Sequence, residues 1–260
     1  MVASVFFDLL VRIMKMIDQR VLSLCVAMTL FAAGIGQSSI IYQDDFEGDA
    51  GSLIQGRSPD AVDATGTTYT TIGSPNQLQL NGAGSVVTIG RGGIMHILLP
   101  EISEGDVITL TAQVRPFSTA DNWIGLGFTD GEADLVQSGV AWVLLNGDGS
   151  KNKGKIVVRS GLGESGMLYK SLSCEPTWVD GVPSTLIIVY NTRTGNLQVS
   201  LGGSNLFERL ISYNDIAETP APLSSLSHVT IQWFNQNSRD MPDPGCLDSL
   251  QVEIDPAVTP

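Results

Sequence analysis

Short runs in which apolar and polar residues alternate, set apart by Gly, Pro, Asn and Asp, fill the chain from about residue 40 onward. The clearest is Val107–Arg115. In an extended chain Ile108, Leu110, Ala112 and Val114 fall on one side, and Val107, Thr109, Thr111, Gln113 and Arg115 on the other. That period of two predicts a half-buried β-strand. Similar runs predict strands at Ile40–Phe46, Gln77–Leu80, Val86–Ile89, Ile94–Leu99, Trp123–Phe128, Val140–Leu145 and Lys155–Arg159. Thr185–Asn191 and Leu197–Leu201 read as a hairpin, because the link between them holds Gly195, which tolerates a positive φ. Val229–Phe234 and Leu250–Ile254 close the series, and turn residues mark Gly56–Pro59, Gly90–Gly93, Gly161–Gly166 and Pro242–Gly245. No helical period, internal repeat or Pro/Ser-rich linker interrupts this region. One all-β domain of two packed antiparallel sheets is therefore expected over residues 40–255, with 256–260 as a tail.

The N-terminus has a different pattern. Val21–Ile35 is a mostly apolar run preceded by Lys15 and Arg20, and the small residues Gly34, Gly36 and Ser38 follow or end it. This is the layout of a secretory signal peptide, here residues 1–36. The run falls short of the roughly 20 residues that a membrane-spanning helix needs. Met14 or Met16 would give a conventional signal, since Met1–Ile13 adds a second apolar patch ahead of the basic segment. An uncleaved anchor is the alternative, against which Lys15, Asp18 and Arg20 interrupt the stretch. The expected location is outside the cytoplasm, secreted, periplasmic or at the cell surface, with the membrane touched only through the signal segment.

Composition narrows the function. Of 260 residues 43% are hydrophobic and 16% charged, enough apolar material for a sizeable core. A net charge of −13 repels phosphate backbones and argues against nucleic acid as a partner. Asp44 and Asp45, with Glu47 and Asp49 nearby, open the domain, and Asp248 stands where its last strand begins. If first and last strands pair, these oxygens converge on a candidate site for structural calcium, which takes about six or more oxygen ligands. A solvated acidic surface is the other reading. With Cys25 inside the signal segment, Cys174 and Cys246 remain. An oxidising compartment suggests that they form a disulfide, with two free thiols as the alternative.

Several segments carry a resemblance. "ITLTAQVRP" at Ile108–Pro116 and "WIGLGF" at Trp123–Phe128 resemble central strands of laminin-G-like and concanavalin A-like domains. "STLIIVYNTRTGNLQVSLGG" at Ser184–Gly203 is similar to their hairpin, and "CLDSLQVEI" at Cys246–Ile254 to their closing strand, which returns beside "YQDDF" at Tyr42–Phe46. The resemblance implies a two-sheet antiparallel jelly-roll sandwich of a kind found in many exported bacterial proteins. Laminarinase-type glycosidases on this fold carry Glu-x-Asp-x-x-Glu on one strand. Glu132-Ala133-Asp134-Leu135-Val136-Gln137 keeps the first two acids and places Gln137 where the acid/base should stand. Retaining hydrolysis needs two carboxyls about 5–5.5 Å apart, and an amide cannot donate the proton. Lyases on the fold combine His, Tyr and Arg, but His96 and His228 have no matching Tyr motif, and His96 reads as a structural histidine. A non-catalytic domain is expected.

Glycan binding needs an aromatic platform with amide or hydroxyl groups beside it. In Trp123–Phe128, Ile124, Leu126 and Phe128 take the core side, so Trp123 points the other way, where Gly125 and Gly127 leave room. Gln113 and Arg115 from one strand, and His228 and Gln232 from another, are expected to join Trp123 on a polar face that binds carbohydrate. The alternative is a face covered by loops. Trp142, Trp178 and Trp233 are expected to be packed. The expected function is glycan or extracellular-surface binding, with a structural or adhesive module, or a polysaccharide-active enzyme with an unrecognised site, as alternatives.

Overall fold

Alternation of the predicted kind builds two antiparallel sheets in the computed structural model of the chain. The structure describes residues 38–63, 66–73, 77–115, 122–131, 134–135, 139–146, 156–159, 172–174, 183–194, 196–202, 207–212, 226–235 and 245–257. The signal segment, Trp178, Gly195 and Gln137 lie outside them. Ser38–Ala257 forms one compact unit. No helix among the described residues is long and apolar enough to cross a membrane.

The first sheet runs in the order β14 (Phe207–Ser212), β13 (Asn196–Gly202), β12 (Ser184–Asn191), β7 (Val107–Arg115), β16 (Cys246–Asp255), β1 (Ser39–Asp44) and β2 (Ala61–Val62). To it β5 (Val86–Thr88) adds through β16, and β4 (Leu78–Leu80) through β5. The second sheet runs β11 (Leu172–Cys174), β10 (Ile156–Arg159), β9 (Gly139–Asn146), β8 (Trp123–Thr129), β15 (His228–Phe234), β6 (Gly92–Leu98) and β3 (Thr70–Ile72). First and last strands pair, Ser39 opposite Ile254, and the β12–β13 hairpin forms with Leu186 opposite Leu201.

The core lies between the sheets. From β7 come Ile108, Leu110, Ala112 and Val114, met by Ile124, Leu126 and Phe128 of β8 and by Val229, Ile231 and Trp233 of β15. Each Val, Leu, Ile or Phe among them contributes about 1.5–3 kcal/mol by leaving water, which is why period-two strands pack in this way. The Tyr42 hydroxyl, from the first sheet, donates to the Leu98 carbonyl of the second and ties the layers together.

Four strands, β2, β3, β11 and β14, have no counterpart among the predicted strands, and each ends the main strand order of its sheet. An edge strand pairs on one side only, so its pairing owes little to its own hydrophobic pattern. β16 begins four residues before the expected Leu250, because a bulge between Leu247 and Ser249 breaks its alternation.

Candidate functional site

Strand register lays out the second sheet's outer face as rows across the strands. The first row sets Trp123 of β8 beside Phe234 of β15 and Gly92 of β6. The second sets Leu144 of β9, Gly125, Gln232 and Ile94 side by side, and the third Trp142, Gly127, Thr230 and His96. In the first row Trp123 and Phe234 stack at 5.6 Å between ring centroids, nearly parallel at 14°. Phe234 keeps 42% of its surface exposed. Its other neighbour in the row, Gly92, has no side chain, and a Cβ there would lie 2.2 Å from the Trp233 carbonyl oxygen. Phe234 is thus an exposed apolar ring backed by an indole, with glycine at 92 because the Trp233 backbone fills the place a Cβ would take.

The second row is filled. Leu135, from the β8–β9 connection, is fully buried against Trp142 and Leu144, with Trp123 packed beside them, in a small cluster apart from the main core. A Cβ on Gly125 would meet its Cδ1 at 2.8 Å, and one on Gly139 its carbonyl oxygen at 2.2 Å. Glycine at both positions is what lets Leu135 sit there. The Leu135 amide donates to Gln232 Oε1 at 2.9 Å, so Gln232 holds the connection down.

The third row buries polar groups. Thr129 Oγ1 donates to the Gly131 carbonyl at 3.0 Å, so it accepts from Thr230 Oγ1 at 2.7 Å. Thr230 in turn accepts from His96 Nδ1–H at 2.7 Å. This relay assigns the His96 tautomer and leaves Nε2 unprotonated, buried and without a partner. Burial, with His228 at 5.9 Å between ring centroids, lowers the His96 pKa to about 4. His228 is itself buried, with Nδ1 at 2.8 Å from Ser227 Oγ.

No family model matches the chain, and no curated protein does. Solved structures do match. An endo-1,3-beta-glucanase from Streptomyces sioyaensis superposes with a TM-score of 0.54 at 14% identity, over 84% of this chain and 97% of that one. The carbohydrate recognition domain of Emp46p, in a metal-free form, gives 0.52 at 16% identity, over 71% of this chain and 87% of that one. A glycosyl hydrolase family protein from Mycobacterium fortuitum gives 0.52 at 14%, over 82% and 99%. The fold is a concanavalin A-like jelly roll.

Within this jelly roll the expected glycan face divides. Gln113 and Arg115 belong to β7 in the first sheet, whereas Trp123, His228 and Gln232 belong to the second. Outward positions of two sheets packed core to core face opposite ways, so the two groups do not share one surface. Gln113 instead donates to Thr185 Oγ1 on β12 at 2.6 Å. Trp123 is partly buried, and Trp142 and Trp233 are packed, as expected. Phe234 was the missing member of the face, although the alternation His228, Thr230, Gln232 leads straight to it.

The acidic group also changes membership. Asp44, Asp45 and Asp60 bring carboxylate oxygens within 4.8 Å of one another, close enough to share a cation; Asp248 is not among them. β1 pairs with β2, and Asp60 directly precedes β2, which brings it to Asp44. Arg57 already lies among these oxygens, with Nη2 at 2.9 Å from Asp44 Oδ1 and 3.2 Å from Asp60 Oδ1. Burial raises the Asp44 pKa against the pull of that guanidinium. Asp248, the unpaired residue of β16's bulge, accepts from Cys246 Sγ at 3.0 Å.

The expected Cys174–Cys246 bond does not form. Cys246 is a free, buried thiol that also accepts from Arg115 Nε at 3.1 Å, while Cys174 lies in β11, at an edge of the other sheet. Burial and Asp248 push the Cys246 pKa up to about 12, which makes it unreactive.

The hydrolase-like segment lies between β8 and β9, and of it only Asp134 and Leu135 are among the described residues. Bends at Asp130 and Gly131 follow β8.

Proposed function

We propose that this jelly roll is a non-catalytic glycan-binding domain of an exported protein, and that it takes sugar on Phe234 backed by Trp123. The exposed Phe234 ring carries the reading. A sugar's C–H face stacks on an aromatic ring, and the flat indole behind Phe234 holds it in one orientation at little entropic cost. Two further points support it. The structural neighbours include a carbohydrate recognition domain and an endo-1,3-beta-glucanase. None of the seven described strands of the second sheet carries an Asp or Glu, so the strands themselves supply no carboxylate pair for hydrolysis.

The test is a glycan array, weighted toward β-glucans, on wild-type and Phe234→Ala protein, with a reducing-sugar assay on the same preparations. Binding that depends on Phe234 without release of reducing ends is the expected result. Binding untouched by the substitution, or turnover, would sink the proposal. Export is tested separately by N-terminal sequencing of the secreted protein, which should begin after residue 36.

A further inference from the structure

The face beside Phe234 is closed by the chain itself. Without Leu135, Gly125 would leave a hollow walled by Trp123, Trp142 and Leu144. Such a hollow is lined by the kind of surface that sugar rings and other small apolar faces stack upon. Leu135 is fully buried there, yet its cluster is separate from the main core, so the sandwich does not need it for packing between the sheets. Its amide is anchored by Gln232 on the same strand that carries Phe234, which sets the filled row directly next to the open one. Rows on one face of a strand lie about 7 Å apart, so the filled row is the next position along the sheet for a bound oligosaccharide.

We propose that Leu135 is a specificity determinant of the glycan site: standing over Gly125, it confines bound sugar to the Trp123–Phe234 row and withholds Trp142 as a second stacking surface. This rests on the glycan-binding reading. Gln232 is a positioning residue that acts through Leu135.

The experiment titrates a length series of β-1,3-glucan oligosaccharides into wild-type, Leu135→Asp and Leu135→Ala protein. Acrylamide quenching of tryptophan fluorescence and melting temperature are measured on the same samples. A carboxylate cannot stay unpaired in an apolar pocket, so the Asp variant vacates the hollow. The Ala variant serves if the Asp variant does not fold. Quenching should rise, and affinity, which levels off at short length in wild type, should continue to increase for one further unit, with about tenfold tighter binding of the longest oligomers. Binding by the variants alone overturns the proposal together with the Phe234 site, because wild type then holds no sugar to confine. Greater quenching with an unchanged length dependence overturns it and leaves the Phe234 site standing, as does quenching that does not change. No binding by wild type or either variant defeats the glycan reading itself, and the role of Leu135 with it.

Discussion

The two sheets present outer faces built from the same alternation but chemically unlike. On the first, Thr109, Thr111 and Gln113 of β7 stand beside Gln251 and Glu253 of β16, all half-buried, with hydrogen bonds such as Gln113 to Thr185 within the face. On the second, glycines at 92, 125 and 127 alternate with Trp123, Phe234 and Trp142, and Leu135 is drawn down onto them. A polar face satisfies itself through neighbouring side chains and water. A face of rings and gaps must be covered by its own chain or by something else, and here it is covered in one row and open in the next.

Substitutions should separate the faces by size of effect. Trp142→Ala on the second face should cost about 3–5 kcal/mol of stability, as loss of a buried ring does, measured by denaturant unfolding. A loss below about 1 kcal/mol would mean that the Leu135 cluster holds nothing in place.

Acidification should weaken the second face. His96 has its pKa lowered from 6.5 to about 4, so the unfolded chain takes up a proton before the native one does. Its contribution is intact above pH 6.5 and is lost as pH falls toward about 4, some 3 kcal/mol in all. His96→Gln should flatten this part of the pH–stability curve. An unchanged curve would show that another group is responsible.

Phe234→Ala should remove at least about 2 kcal/mol of glycan binding, as expected for an aromatic centre of a binding surface. Its melting temperature should barely move, because the ring is 42% exposed. Trp123→Ala is a less clean probe, since Trp123 also packs against the Leu135 cluster. The smallest effect belongs to the first face. Gln113→Ala should change stability by no more than about 0.5 kcal/mol and leave glycan binding intact. Loss of binding there would move the site to the other side of the molecule.

What the residues determine alone is the side of its own strand on which each stands. Ile108 to Val114, Ile124 to Phe128 and Val229 to Trp233 alternate so regularly that each set must turn together toward the other sheet, and turning β7 over would bury Thr, Gln and Arg in their place. Alternation carries no information about which strand is the neighbour. Gln113 and Trp123 both point away from the core, yet only the strand order places them on opposite sheets. Asp60 replaces Asp248 beside Asp44 because β1 takes the short β2 as its neighbour, and Cys246 stays a free thiol in the interior of one sheet while Cys174 lies at the edge of the other. Leu135 lies on no strand, and its burial depends on two glycines, one on β8 and one opening β9. These are contacts between segments far apart along the chain, decided by the packing of whole sheets and not by the local preference of any one residue.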